Sequence, residues 1–165
     1  MKKGSKILCP IDFSEGSDYA MICANELAQH LDAEVHCVHV IDPAPFAYAV
    51  HGIYVSYETV DANIANIEAH TREEFEKRLK KYELMHLKAE GHFLQGKPDQ
   101  EIVALADKLE VDYIMITTHG RSGFDALVSG STCEKIVRLS HVPVITLKHP
   151  EHFMGEDAPQ LKFER

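Results

Sequence analysis

"VDYIMITTHGRSGFDALVSGSTCEKIVRLSHVPVITLK", residues 111–148, decides how this chain folds. It opens on an apolar, β-branched run, "VDYIMITTHG", and passes through glycines and hydroxyls. It then re-forms as "STCEKIVRLS", where Ser131 and Glu134 have the spacing of a capping box at a helix start. It closes on a second β-type run, "VPVITLK". A strand, a helix and a strand in succession make a crossover unit, and crossovers of this kind join parallel strands.

The same alternation extends upstream. "SKILCPID" is an apolar run that stops at Pro10 and Asp12, the pattern of a buried strand reaching its carboxyl end. "SEGSDYAMICANELAQHL" follows with Ser14 placed as an N-cap and with Ala20, Ala24, Leu27 and Leu31 at helical spacing. "AEVHCVHVID" is a second buried strand. Residues 43–57, "PAPFAYAVHGIYVSY", carry Pro, Gly and aromatic residues without a period and read as a long connection. "ETVDANIANIEAHTREEFEKRLKKYEL" is a long helix with Ile64, Ile67, Phe75 and Leu79 on one stripe and i,i+4 charge pairs such as Glu74 with Arg78 on its polar half. "HLKAEGHFLQG" is a strand with a polar face, suited to a sheet edge. "KPDQEIVALADKLE" begins a helix with Pro98 in its first turn and turns Ile102, Leu105, Ala106 and Leu109 inward. Strands alternating with helices predict a mostly parallel sheet covered on both faces.

Length and composition agree. The chain has 165 residues, 45% hydrophobic and 26% charged, enough for one α/β domain over residues 1–150 and a tail at 151–165. A net charge of −9 argues against a nucleic-acid partner, which demands clustered Lys and Arg. The apolar run of "MKKGSKILCPIDF" is short and broken by Pro10 and Asp12, so neither a secretory signal nor a membrane span is read, and a cytoplasmic location is expected. Cys9, Cys23, Cys37 and Cys133 lack paired spacing, which fits reduced thiols and no disulfides. Cys133 lies near a helix start, where a thiol is activated, but it also lies on an apolar helix face, and burial is the reading adopted.

In an open parallel sheet, ligands bind beyond the carboxyl ends of the strands where the strand order reverses. Two loops with suitable chemistry leave such ends: "PIDFS" and "TTHGRSG…GST". Gly120, Gly123 and Gly130 let the backbone approach an anion, Ser131 and Thr132 open a helix whose N–H groups favour phosphate, and Arg121 adds charge. Singly, each glycine reads as a turn former and Ser131 as a cap; together they read as a phosphate cradle. Asp12 reads either as a ligand contact or as an N-cap-like residue before the first helix.

Other chemistry is not supported. There is no GxxxxGK[ST], GxGxxG or GxSxG. Strand alternation puts His36 and His39 on opposite faces, and His141, His149 and His152 lack tight ligand spacing, so no metal site is read. His119 lies within the cradle and reads as structural or as a hydrogen-bond donor.

"KILCPIDFSEGSDYA", "HVID" and "THGRSGFDALVSGSTCEKIVRLSHVPVITLK" resemble the universal stress proteins in order and spacing over about residues 4–148. Nucleotide-binding members carry Gly, two residues, Gly, nine residues, Gly, then Ser or Thr. Here Gly120, Gly130 and Ser131 match, and Thr117 stands where the family has its first glycine, against the ribose. The resemblance implies an α/β fold similar to the adenine nucleotide alpha hydrolases: an open five-stranded parallel sheet, order 3-2-1-4-5, with helices on both faces. It implies that Asp12 bonds the ribose or adenine side with Pro10 and Ile11 alongside. Val40 would contact adenine, Ile116 and Thr117 would border the sugar, and Gly120, Arg121, Gly130, Ser131 and Thr132 would hold phosphates. It also implies a homodimer through the last strand, residues 142–148, which would cover an exposed sheet edge.

The function expected is ATP binding, with Mg²⁺ where the triphosphate carries it, by a dimeric stress-response or regulatory module. Hydrolysis, if any, is expected to be slow, because no residue is evident that would position an attacking water. Two other classes stay open: a dimeric interaction protein of the same family that binds no nucleotide, and a slow ATPase or nucleotidyl transferase using the same site.

Overall fold

The computed structural model describes residues 4–44, 57–118 and 132–148. Five strands form one sheet: β1 (Lys6–Pro10), β2 (Glu34–Ile41), β3 (Glu90–Gln95), β4 (Tyr113–Thr117) and β5 (Val144–Leu147). Between them run α1 (Glu15–Leu31), α2 (Tyr57–Leu84), α3 (Pro98–Leu109) and α4 (Thr132–Leu139). Every strand pairing is parallel and the order is β3-β2-β1-β4-β5, as the alternation and the resemblance predicted.

Strand alternation sorts the core into two layers. On one face Ile7, Cys9, Val35, Cys37 and Met115 pack under Ala20, Met21, Ala24 and Ala28 of α1 and Phe75 and Tyr82 of α2. On the other, Leu8, Val38, Ile114 and Ile116 meet Ile102, Leu105 and Ala106 of α3 and Cys133 and Ile136 of α4. Both β1 and β2 are buried along most of their length because helices cover them on both sides.

Helix α1 differs in detail from the expected stripe. Ala20 and Ala24 are buried, but Leu27 and Leu31 are only half-buried, while Met21, Asn25 and Ala28 take inward places. The small side chains let the helix lie close to the sheet. Asn25 is tolerated inside because its amide donates to Met21 O at 3.1 Å and accepts from Lys88 N at 2.8 Å. Ser14 caps α1 as expected, accepting from Ser17 N at 3.1 Å. Pro98 is at the first position of α3, where its missing N–H costs nothing.

The polar strand read from "HLKAEGHFLQG" is β3, at one margin of the sheet, and β5 is at the other. Most of the 43–57 connection and the 151–165 tail lie outside the described residues. No helix among those described is long and apolar enough to cross a membrane.

Candidate functional site

Strand order reverses between β1 and β4, with β2 and β3 to one side and β5 to the other. β1 pairs with β4 through Ile7↔Tyr113 and Leu8↔Ile114. The two loops singled out in the sequence therefore leave neighbouring strands at the same margin. Carrying that register forward sets Ile11 level with Thr117, and the β1–β2 register, Pro10↔Val38, sets Asp12 level with Val40. Pro10, Ile11, Asp12, Val40, Ile116 and Thr117 are thus brought to one edge of three adjacent strands.

The turn after β1 is held from several sides. Ile11 N donates to Val38 O at 2.8 Å, and His39 Nδ1 lies 2.8 Å from Ile11 O. A carbonyl only accepts, so His39 carries its proton on Nδ1. Phe13 then takes a left-handed conformation (φ 66°), turning the chain sharply, and its ring stacks on His39 with centroids 4.2 Å apart. Asp12 Oδ1 accepts from Ser14 N at 3.1 Å and from the Ser14 hydroxyl, which in turn caps α1. The N-cap-like role proposed for Asp12 is therefore present. Its negative charge also sits near the start of α1, where the helix dipole favours it.

Support comes from α2. Arg78 donates to Phe13 O at 2.9 Å and pairs with Asp18 in the first turns of α1. Lys81 Nζ reaches the same carboxylate at 2.7 Å, and Tyr82 donates its hydroxyl to Asp18 Oδ1 at 2.7 Å. Burial, with Asp18 behind it, raises the Tyr82 phenol far from ionisation. The helical pairing expected for Arg78 with Glu74 is replaced: Arg78 turns toward α1, and Glu74 pairs with Lys77 at 2.9 Å. The Asp18 carboxylate and the Phe13 carbonyl across the helix interface offer Arg78 one bond each in a drier setting than an exposed neighbour on its own helix.

On the β4 side, Ile116 and Thr117 are both buried, and alternation turns Thr117 to the same face as Met115. Thr118 N donates to Leu147 O at 2.9 Å, carrying the β4–β5 ladder one step past the strand. Thr132 is the exposed first residue of α4. A helix linking two parallel strands runs against them, so this helix begins on the carboxyl side of the sheet. Gly120, Arg121, Gly130 and Ser131, with His119 and Gly123, lie outside the described residues.

The cysteines are all free thiols. Cys133 is buried against α3 and β4, and burial raises its thiol despite the helix start beside it. Burial likewise pushes Cys37 up to about 12 and Cys9 well above the ordinary thiol range.

One cluster escaped sequence reading. His36 and His39 do lie on opposite faces of β2, but His36 meets His92 of β3, a residue 56 positions away. Spacing along the chain carries no sign of it, because it depends on which strand neighbours β2 and in what register.

Compared with models of protein families, residues 4–148 match the universal stress protein family. Universal stress protein MJ0531 of Methanocaldococcus jannaschii is 32% identical over 151 residues, covering 88% of this chain and 83% of that protein. The solved structure of hypothetical protein MJ0577 from the same archaeon superposes with a TM-score of 0.72 at 26% identity, covering 90% of this chain and 98% of its own. A universal stress protein from Archaeoglobus fulgidus, solved in complex with dAMP, superposes with a TM-score of 0.57 at 17% identity, covering 88% of this chain and 98% of its own. The chain belongs to the universal stress protein family.

Proposed function

We propose that this universal stress protein binds an adenine nucleotide, ATP in the first instance, at the margin between β1 and β4, and that the bound nucleotide biases its conformation or its choice of partner. One observation carries the reading: Asp12, Val40, Ile116 and Thr117 share one end of the sheet at the point where strand order reverses. The segment bearing Gly120, Arg121, Gly130 and Ser131 is bracketed by Thr118 at that end and by Thr132 at the start of α4. A structural neighbour solved in complex with dAMP adds support for the adenine nucleotide class.

In this reading Asp12 accepts from the ribose or adenine side, with Pro10 and Ile11 alongside, and Val40 lies against the base. Gly120, Arg121, Gly130, Ser131 and Thr132 meet the phosphates, with Mg²⁺ as a counter-ion of the triphosphate. The protein acts as a dimer through residues 142–148, in the cytoplasm, in a stress response.

A second reading rests on Thr117, which is 7% exposed at the position where nucleotide-binding relatives have glycine. If its methyl takes the room of the ribose, the protein is a pairing module without nucleotide.

Isothermal titration with ATP separates the two, run on the natural chain, Gly130→Asp and Thr117→Gly. The nucleotide reading expects binding by the natural chain and none by Gly130→Asp, where a carboxylate would face the phosphates, with the far-UV dichroism unchanged. Thr117→Gly should bind more tightly and lose about 1–3 kcal/mol of stability, the backbone cost of glycine plus the loss of a buried side chain. Binding by Thr117→Gly but not by the natural chain would establish the second reading. Equal affinity in Gly130→Asp would remove the proposed phosphate cradle.

A further inference from the structure

At the amino ends of β2 and β3, far from the crevice, three side chains with metal-ligating atoms converge. His36 Nδ1 lies 3.1 Å from His92 Nε2 and 3.7 Å from Glu90 Oε2. Among the described residues, His36, Glu90 and His92 form a group whose donor atoms all lie within 4.8 Å of one another. Ligands about 2.0–2.1 Å from a tetrahedral Zn²⁺ stand about 3.3 Å apart, so two of these separations bracket the value that such an ion requires.

The pairing register explains the arrangement. His36 is level with Glu90 and Val38 with His92, so His36, Glu90 and His92 share one face of the sheet on adjacent strands. His36 is 3% exposed and so has one place to point, whereas Glu90 is largely in solvent and is able to follow an arriving ion. An open recess of about 720 Å³, lined in part by Glu34, His36 and Glu90, adjoins the cluster.

A hydrogen bond between two neutral imidazoles would also give 3.1 Å. It leaves one thing unexplained: His36 Nε2 is buried and has no hydrogen-bond partner. Glu34 Oε2 stands 4.0 Å from that nitrogen. A cation on Nδ1 fixes the proton on Nε2 and draws it toward the Glu34 carboxylate, the outer arrangement in which metal-bound histidines are usually oriented. Lys108 of α3 acts on His92 against a cation, but Glu34 and Glu90 place two carboxylates around the imidazole pair.

We propose that His36 Nδ1, His92 Nε2 and the Glu90 carboxylate form a site for a divalent transition metal of the Zn²⁺ class, with Glu34 orienting His36 and water completing the coordination. Two imidazoles and one carboxylate suit Zn²⁺, and are a poor set for Mg²⁺ or Ca²⁺, which take oxygen ligands. The ion would tie the marginal strand β3 to β2. The site is independent of the nucleotide reading. Along β2 it is separated from Val40 by four residues, roughly 13 Å.

The test uses the full chain, stripped with a chelator and titrated with Zn²⁺ in competition with a chromogenic chelator. One equivalent should bind per chain and raise the melting temperature. In His92→Ala that equivalent should weaken by at least about tenfold, and Glu90→Gln should weaken it as well. Co²⁺ bound in place of Zn²⁺ should show the visible bands of a four-coordinate ion, and these should vanish with His92→Ala. Failure of the natural chain to take up an equivalent, or uptake by His92→Ala with natural affinity, overturns the proposal. If His92→Ala does not fold, the exposed Glu90→Gln decides, and unchanged affinity there overturns the proposal equally.

Discussion

At the carboxyl end of the sheet Asp12 is bonded by Ser14, and the turn that carries it is clasped by Arg78 from a helix 65 residues further on. At the amino end, His36 is buried against His92, its second nitrogen is without a hydrogen bond, and Glu34 and Glu90 reach in from solvent. The turn after β1 has its polar groups tied by the protein itself, so it stands in shape before any ligand arrives. The amino end leaves the buried His36 Nε2 unsatisfied, at a cost in free energy, while His36 Nδ1 and His92 Nε2 face each other with the Glu90 carboxylate beside them. A pre-shaped turn and a set of converging donor atoms are different ways for a fold to expect a ligand: one lowers the cost of ordering, the other leaves bonds to be made.

Substitutions at the two ends should differ in size accordingly. The largest effect is expected from Asp18→Ala, which strips the shared partner from Arg78, Lys81 and Tyr82. It should lower unfolding stability by about 2–4 kcal/mol, less than for a fully buried pair because Lys81 keeps its access to water. Urea denaturation would show a lower midpoint with an unchanged slope. A loss below about 0.5 kcal/mol would mean that α2 does not brace the turn. Ser14→Ala comes next. It removes the cap of α1 and the hydroxyl that Asp12 holds, and should cost about 1 kcal/mol in the same measurement. The smallest effect belongs to the amino end: without metal, Glu90→Gln should change stability by less than about 0.5 kcal/mol, since the carboxylate is exposed and stands 3.7 Å from His36 Nδ1. A larger loss in chelator-treated protein would erase the contrast between the two ends.

Much of the carboxyl end was legible in the sequence because it is written locally. Pro10 and Asp12 end a strand and Ser14 starts a helix, so these elements announce their own boundaries, while the glycines and the Ser131 of the expected capping box lie outside the described residues. The parallel sheet followed from alternation, its strand order from the resemblance, and the margin position of β3 from its polar face. What could not be read depends on distance along the chain. Arg78 has an acceptable partner four residues away in Glu74, and only the docking of α2 on α1 reveals that Asp18 is the one it takes. His92 pairs with a histidine 56 residues earlier, in a register that no spacing encodes. Cys133 was legible as well: its apolar helix face pointed to burial over activation by the helix start, and burial does raise its thiol.

The account stands on an adenine nucleotide seated where strand order reverses. The most direct measurement is a crystal structure grown with ATP and Mg²⁺. It should show the base against Val40, the ribose within hydrogen-bond reach of Asp12 and beside Thr117, and the phosphates against the backbone at Gly120, Gly130 and Ser131. A nucleotide bound elsewhere, or crystals of the natural chain that remain free of nucleotide at saturating ATP, would contradict it.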